Sequence, residues 1–264
     1  MISQSSIRTE KYGHANVRVY ATSSEMAIAA ASEAAQVLRA ALNEHGSVRI
    51  IVGTGNSQAE MIDQLVADQR VDWSRVEVFH MDEYLGISDQ HPASFRRWLR
   101  ERVEQREKLA ACSYLAGDAR DVEGEIARYS ALLNRAPIDL AFVGFGENGH
   151  IAFNDPHVAD FNDAATVKIA ELDAKCRQQQ VGEGHFPSLA AVPTRALTLS
   201  CPALFRAKRW ICCVPDTRKA QAVRDALEGP IGTRCPASIV RTHSAASVYL
   251  DAPSASLLSP RDAC

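Results

Sequence analysis

The passage that most constrains this chain runs from Ile138 to Pro156. Its apolar start, Ile138-Asp139-Leu140-Ala141-Phe142-Val143, breaks into Gly144-Phe145-Gly146-Glu147-Asn148-Gly149-His150 and then Ile151-Ala152-Phe153-Asn154-Asp155-Pro156. A short apolar run bounded by glycine has the length and composition of a buried strand. A strand that ends in a glycine-rich polar loop suits an open α/β sheet, in which ligands bind beyond the carboxyl ends of the strands. Gly144, Gly146 and Gly149 permit positive φ and close backbone approach. His150, Asn154 and Asp155 bring proton-transfer and hydrogen-bonding groups to the same stretch. Taken singly, Asn148-Gly149 reads as a turn, His150 as a core histidine and Asp155-Pro156 as a turn starter. Together they form a candidate site.

The alternation extends along the chain. Strand patterns at 16–20, 48–52, 76–79, 138–143, 196–199, 210–214 and 247–250 interleave with helical patterns at 23–43, 92–103, 124–133 and 217–227, and with one that carries Met61, Ile62, Leu65 and Val66 on a single face. Ser23 or Ser24 is the expected cap of the first helix and Gly46 its close. Strands alternating with helices of this length predict an α/β fold with a central, mostly parallel sheet covered on both faces. With no internal repeat and no linker rich in Pro, Gly and Ser, residues 1–264 read as a single domain. Residues 157–187 are polar and without clear periodicity, and are expected to hold a mobile lid.

At 264 residues, 46% hydrophobic and 23% charged, the chain can bury a full core. A net charge of −3 supplies no basic field for nucleic acid. No apolar run reaches the roughly 18 residues of a membrane span, and Met1-Ile2-Ser3-Gln4-Ser5-Ser6 lacks the pattern of a signal peptide. A cytoplasmic protein acting on a small molecule is expected. The seven cysteines form neither a CxxC pair nor a zinc spacing, and are expected to be reduced, mostly core and not catalytic.

Two motifs carry a resemblance. Gly144-x-Gly146-x-x-Gly149-His150-x-Ala152-Phe153-Asn154-Asp155-Pro156 is similar to the active-site signature of the glucosamine-6-phosphate deaminases, which isomerise and deaminate an amino-sugar phosphate to fructose 6-phosphate and ammonia. Met81-Asp82-Glu83-Tyr84-x-Gly86, with His91-Pro92-x-Ser94-Phe95 after it, resembles that family's second signature. Val192-Pro193-x-Arg195-Ala196-Leu197-Thr198 and Cys235-Pro236-Ala237-Ser238 with His243 agree further, so the resemblance spans about residues 16–250. It implies a modified Rossmann-like three-layer fold, an amino-sugar phosphate as partner, no metal and no organic cofactor. It leaves a homo-oligomer possible.

In that family the first acid of the second signature takes the proton from carbon 2, a role that falls here on Asp82. An aldose-to-ketose shift needs one carboxylate to remove a proton beside a carbonyl and return it next door. Partial burial and a like-charged neighbour such as Glu83 bring an aspartate toward that task near neutral pH. Glu83 also ranks as a candidate substrate-binding residue. His80, Asp82 and Glu83 can be read as metal ligands, but no second ligand group has suitable spacing. The family's histidine opens the sugar ring with two acids, which points to His150 with Asn148 and Asp155. The usual pattern has aspartate and glutamate at the latter two positions. Asn148 is expected to hydrogen-bond His150 without stabilising an imidazolium by charge.

Thr54-Gly55-Asn56-Ser57 lies between a strand and a helix, where free N–H groups and the helix dipole favour an anion such as phosphate. Ser57 reads equally as a simple helix cap. The family has a similar turn, usually followed by proline where this chain has Gln58. Lys219, in Thr217-Arg218-Lys219-Ala220, matches the family's phosphate-contacting lysine. The arginine that completes the phosphate site falls near residues 176–186, where Arg177 and His185 are the available substitutes. Residues 158–163 are acidic where well-known members place a basic effector site, so that effector is not expected here. Two other readings stay open. One is a 6-phosphogluconolactonase-type hydrolase of the same fold, against which Ile151-Ala152-Phe153-Asn154-Asp155 stands. The other is a sugar-phosphate sensor without turnover.

Overall fold

The structure is a computed structural model describing residues 6–260. Residues 1–5, read above against a signal peptide, and Cys264 lie outside the described residues. The hairpin β1 (Arg8–Tyr12) and β2 (Ala15–Tyr20) comes first, followed by α1 (Ser23–His45), β3 (Val48–Val52), α2 (Asn56–Val66), β4 (Val76–His80) and β5 (Asp82–Tyr84). Next are α3 (Phe95–Leu99), continued by a π turn over Arg100–Glu104, then β6 (Ala111–Ser113), α4 (Val122–Asn134), β7 (Leu140–Val143), β8 (Val167–Glu171) and α5 (Ala174–Gly182). The last elements are β9 (Arg195–Leu199), α6 (Cys201–Phe205), β10 (Trp210–Val214), α7 (Ala220–Glu228) and β11 (Ala246–Asp251).

Eight strands form one sheet in the order β1-β2-β11-β10-β7-β3-β4-β6, parallel except for the β1–β2 hairpin. This is the mostly parallel central sheet that the alternation predicts. Successive side chains of a strand point to opposite faces, and here neither face is polar. Ile50 and Val52 of β3 and Ile211 and Cys213 of β10 pack with Ala30, Ala34 and Leu38 of α1 and Met61 and Leu65 of α2. Ile51, Cys212 and Val214 face the other way, into a core with Tyr129 of α4 and Val223 and Ala226 of α7. The layers are therefore helix, sheet, helix. Each large side chain fully buried this way contributes roughly 1.5–3 kcal/mol of hydrophobic stabilisation.

β5, β9 and β8 form a second, antiparallel sheet. Under it Tyr84, Phe95, Phe153, Cys176 and Phe186 make a third apolar cluster. Residues 157–187, expected to hold a mobile lid, thus contain β8 and α5 and contribute to a core. The local ends also differ from expectation. Thr22, in a capping box with Glu25, caps α1 in place of Ser23 or Ser24, while Gly46 closes it at φ 78°. α3 starts at Phe95 because Ser94 caps it. The helix expected at 217–227 opens as a 3-10 turn over Thr217–Lys219 before α7. Among the described residues no helix is long and apolar enough to cross a membrane. The described cysteines are unpaired and, Cys112 apart, buried.

β3 and β7 are neighbours at the centre of the sheet, and from them the chain winds outward in opposite directions, to β4 and β6 on one side and to β10 and β11 on the other. Strand order reverses between them. The crevice beyond the carboxyl ends of such strands is where open α/β sheets bind ligands.

Candidate active site

The loops after β3, β4 and β7 enclose a chamber of about 70 Å³, to which α5 adds Gln179 and Gln180 and the turn before α7 adds Lys219. Asp82, Thr54 to Ser57 and His150 all border it. The sequence candidates Asp82, His150, Thr54, Gly55, Asn56, Ser57 and Lys219 are therefore brought together by the fold.

Asp82 opens β5 opposite Thr198 of β9 and is 6% exposed. Burial, with Glu83 adding to it, pushes its carboxyl up to about 8. Glu83, one residue on, faces away from the chamber. Its carboxylate accepts from Ser94 Oγ at 2.7 Å and from the backbone N–H groups of Arg96 at 2.9 Å and Tyr84 at 3.0 Å. Glu83 anchors the start of α3, which corrects its placement among the substrate-binding residues. The same division, one acid outward and one inward, breaks up the metal-ligand reading of His80, Asp82 and Glu83. His80 is fully buried, and burial followed by the charge of Arg96 holds it down to about 3, in the neutral form.

The loop after β7 is shaped for its histidine. A Cβ on Gly146 would sit 2.2 Å from the His150 ring, and Gly149 turns at φ 80°. His150 Nδ1 lies 2.9 Å from Asp155 Oδ1. Burial disfavours charge on Asp155, but the adjacent His150 ring and hydrogen bonds from Asn148 and the Asp173 backbone hold it below the usual aspartate range. Asn148 hydrogen-bonds His150 as expected, at the backbone and not at the ring. Its Oδ1 accepts the backbone N–H of His150 at 3.1 Å, while Nδ2 donates to Asp155 at 2.8 Å and to Asp173 at 2.9 Å. Ala152 next to the ring pair adopts φ 48°, a left-handed conformation that costs a non-glycine residue about 1 kcal/mol or more. His150, Asp155 and Cys176 also bring one potential ligand atom each within 4.8 Å of one another. Burial, however, pushes the Cys176 thiol well above its ordinary range, and Asp155 is already committed to Asn148 and Asp173.

At the other end of the chamber, α2 starts from Gly55 at φ 110°, with no side-chain cap; Ser57 is inside the helix and does not cap it. The buried Thr54 Oγ1 has no hydrogen-bond partner. Lys219 is 2% exposed and borders the same end of the chamber. His185 borders it too, whereas Arg177 turns away and donates to the carbonyls of Leu189 and Val192. A buried lysine, an uncapped helix start and an unpaired hydroxyl make a site suited to an anion.

A family model described as glucosamine-6-phosphate isomerases/6-phosphogluconolactonase matches residues 21–249. The chain belongs to this family. It is 33% identical over 225 residues to a glucosamine-6-phosphate deaminase of Exiguobacterium sibiricum, covering 85% of this chain and 87% of that protein. With one of Lactobacillus delbrueckii subsp. bulgaricus it shares 30% over 226 residues, 86% of this chain and 94% of that protein. A solved monomeric glucosamine-6-phosphate deaminase superposes with a TM-score of 0.84 at 29% identity, over 91% of this chain and 99% of that one. The 6-phosphogluconolactonase from Trypanosoma brucei, 15% identical with a TM-score of 0.74 over 96% of this chain and all of that one, shares the fold.

Within this glucosamine-6-phosphate isomerase fold the chain adds site residues that sequence reasoning missed. Gln58 is buried, its Nε2 donates to the carbonyls of Cys213 at 3.0 Å and Val143 at 3.4 Å, and its Oε1 has no partner. Asp173 caps α5 through the Cys176 N–H and takes part in the Asn148 network. Its only local signal is its place as a helix cap. Gln179, Gln180 and Glu183 come from the stretch that had no readable pattern.

Proposed function

We propose that the protein isomerises and deaminates an amino-sugar phosphate, glucosamine 6-phosphate or an epimer, to the ketose phosphate and ammonia. The observation that carries this reading is that the buried Asp82 carboxyl and the His150–Asp155 pair open on one chamber. His150, oriented by Asp155, would move the proton of the ring oxygen and open the sugar. Asp82 would then take the proton from carbon 2 and return it to carbon 1. That shift turns the amine-bearing carbon into an imine, which water hydrolyses to a ketone with release of ammonia. Thr54, Gly55, Asn56, Ser57 and Lys219 would hold the phosphate, with Asn148 holding Asp155 in place. Relatives at about 30% identity that carry the deaminase name support the reading. On it the protein works in the cytoplasm on a small molecule.

The test is to incubate purified protein with glucosamine 6-phosphate and its epimers, without added metal, and to measure ammonia and ketose phosphate. Ammonia release is expected. Hydrolysis of a phosphogluconolactone with no ammonia from any amino sugar would overturn the reading, and binding without turnover would make the protein a sensor.

A further inference from the structure

Lys219 is the cation on which phosphate recognition rests in the reading above, and it already holds an anion. Its Nζ lies 3.4 Å from Glu183 Oε1, with the two side chains 3% and 7% exposed. Gln179 Nε2 donates to the same oxygen at 2.8 Å, and Glu183 Oε2 lies 3.5 Å from His185 Nε2. The Glu183 carbonyl accepts from Asn56 at 3.3 Å, which ties this residue to the turn before α2. Burial opposes charge on Glu183, but His185, Lys219 and Gln179 hold its carboxyl down to about 2. The neighbouring cation, Arg218, is paired with Asp216 at 2.8 Å.

The Lys219–Glu183 pair also divides space. On one side is the chamber of about 70 Å³ bordered by Asp82 and His150. On the other is a pocket of about 410 Å³ formed by the starts of α1 and α2 and the turn at Thr217–Lys219. Asn56, Ser57, Glu183 and Lys219 border both. Glu183 stands in the wall between them beside Lys219 Nζ, so a sugar phosphate that reaches Asp82 and Lys219 together meets the Glu183 carboxylate at the lysine.

We propose that Glu183 is an internal competitor for the phosphate subsite: its carboxylate occupies the place beside Lys219 that the substrate's phosphate takes. The proposal rests on the phosphate reading of Lys219. One buried ammonium can compensate one carboxylate, and a phosphate dianion added beside an unmoved Glu183 would leave uncompensated negative charge in a desolvated site. Phosphate binding therefore requires Glu183 to leave Lys219. Affinity is reduced by the fraction of molecules in which the subsite is closed. A tethered carboxylate at high effective concentration excludes free carboxylates, while phosphate, with more charge and more acceptor oxygens, displaces it.

The experiment is calorimetric binding of inorganic phosphate and of acetate to the wild type, Glu183→Gln, Lys219→Ala and the double variant, which needs no turnover. Glu183→Gln is expected to tighten phosphate binding on the order of tenfold, about the difference between a charged and a neutral hydrogen-bond partner. It should also make acetate binding measurable. Lys219→Ala should weaken phosphate binding, and in the double variant the gain from Glu183→Gln should vanish because the two anions share one cation. Glu183→Ala, which removes the carboxylate outright, should tighten phosphate in the same direction. If neither Glu183 variant tightens phosphate while Lys219→Ala still weakens it, the competitor proposal is wrong and the phosphate site stands. If Lys219→Ala leaves phosphate binding unchanged, the phosphate reading fails and takes the proposal with it.

Discussion

The side-chain amide of Asn148 donates to Asp155 at 2.8 Å, using one of its two protons on the acid that orients His150. The second proton goes to Asp173 at 2.9 Å. An amide is thus the neutral bridge between two carboxylates, and it holds the His150 backbone directly while reaching the ring through Asp155. An aspartate at this position would need different neighbours.

Replacing Asn148 with Asp should therefore damage this site. The change removes both donors and places a third carboxylate beside Asp155 and Asp173. Lost hydrogen bonds of this kind cost about 1–3 kcal/mol. Crowded carboxylates take up protons more readily when folded, so their folded pKa values rise, and the stability they contribute is present at low pH and lost as pH rises. Denaturant unfolding should show a deficit in Asn148→Asp that widens from about pH 5 to about pH 8. A variant as stable as the wild type across that range would show that the Asn148 bridge is not made.

Gln58 offers a separate test, since its Nε2 serves the Cys213 and Val143 carbonyls and its Oε1 lacks a partner beside the chamber. Gln58→Met conserves volume and leaves both carbonyls without their donor, which should lower stability by about 1–3 kcal/mol. If the unpaired oxygen is satisfied by a donor on the bound sugar, the KM for the substrate rises as well, with the larger effect on KM than on kcat. A stability loss with no change in KM would confine Gln58 to the scaffold.

The parts of this protein that the sequence makes legible are those whose cause is local. β3 and β10 are buried on both faces, so they appear as apolar runs, interrupted in β3 by Arg49 alone. The His150 loop is readable because its glycines, histidine and acid lie within one short segment. β5 is three residues long with two acids, and only its pairing with β9 makes it a strand. What Glu83 does depends on Ser94 and Arg96, more than ten residues away in the chain. α5 was missed because its buried residues include Gln179 and Gln180. These are held by hydrogen bonds to the Glu147 N–H and to the Tyr84 hydroxyl, and such a helix carries no apolar stripe.

On the proposed function Asp82 would tie stability to catalysis, and the two should respond to pH in opposite directions. Burial and the neighbouring Glu83 move its carboxyl from an ordinary value near 3.8 up to about 8. Between those values the folded chain holds a proton that the unfolded chain has released. The stabilising contribution of the protonated group is therefore complete below about pH 4 and is lost as pH rises through about 8. Asparagine has no proton to lose, so the stability of Asp82→Asn relative to the wild type should grow from about pH 4 to about pH 8, by up to about 1.4 kcal/mol per pH unit, and level off above. As the proposed base Asp82 would act in its ionised form, so wild-type kcat/KM should climb with pH toward about 8. Asp82→Asn should lose exchange of the carbon-2 proton in deuterated water while binding substrate within a few fold of the wild type. Parallel stability curves for the two proteins would mean that the Asp82 carboxyl is not held protonated by burial. Exchange that persists in the variant would assign the proton transfer to another group.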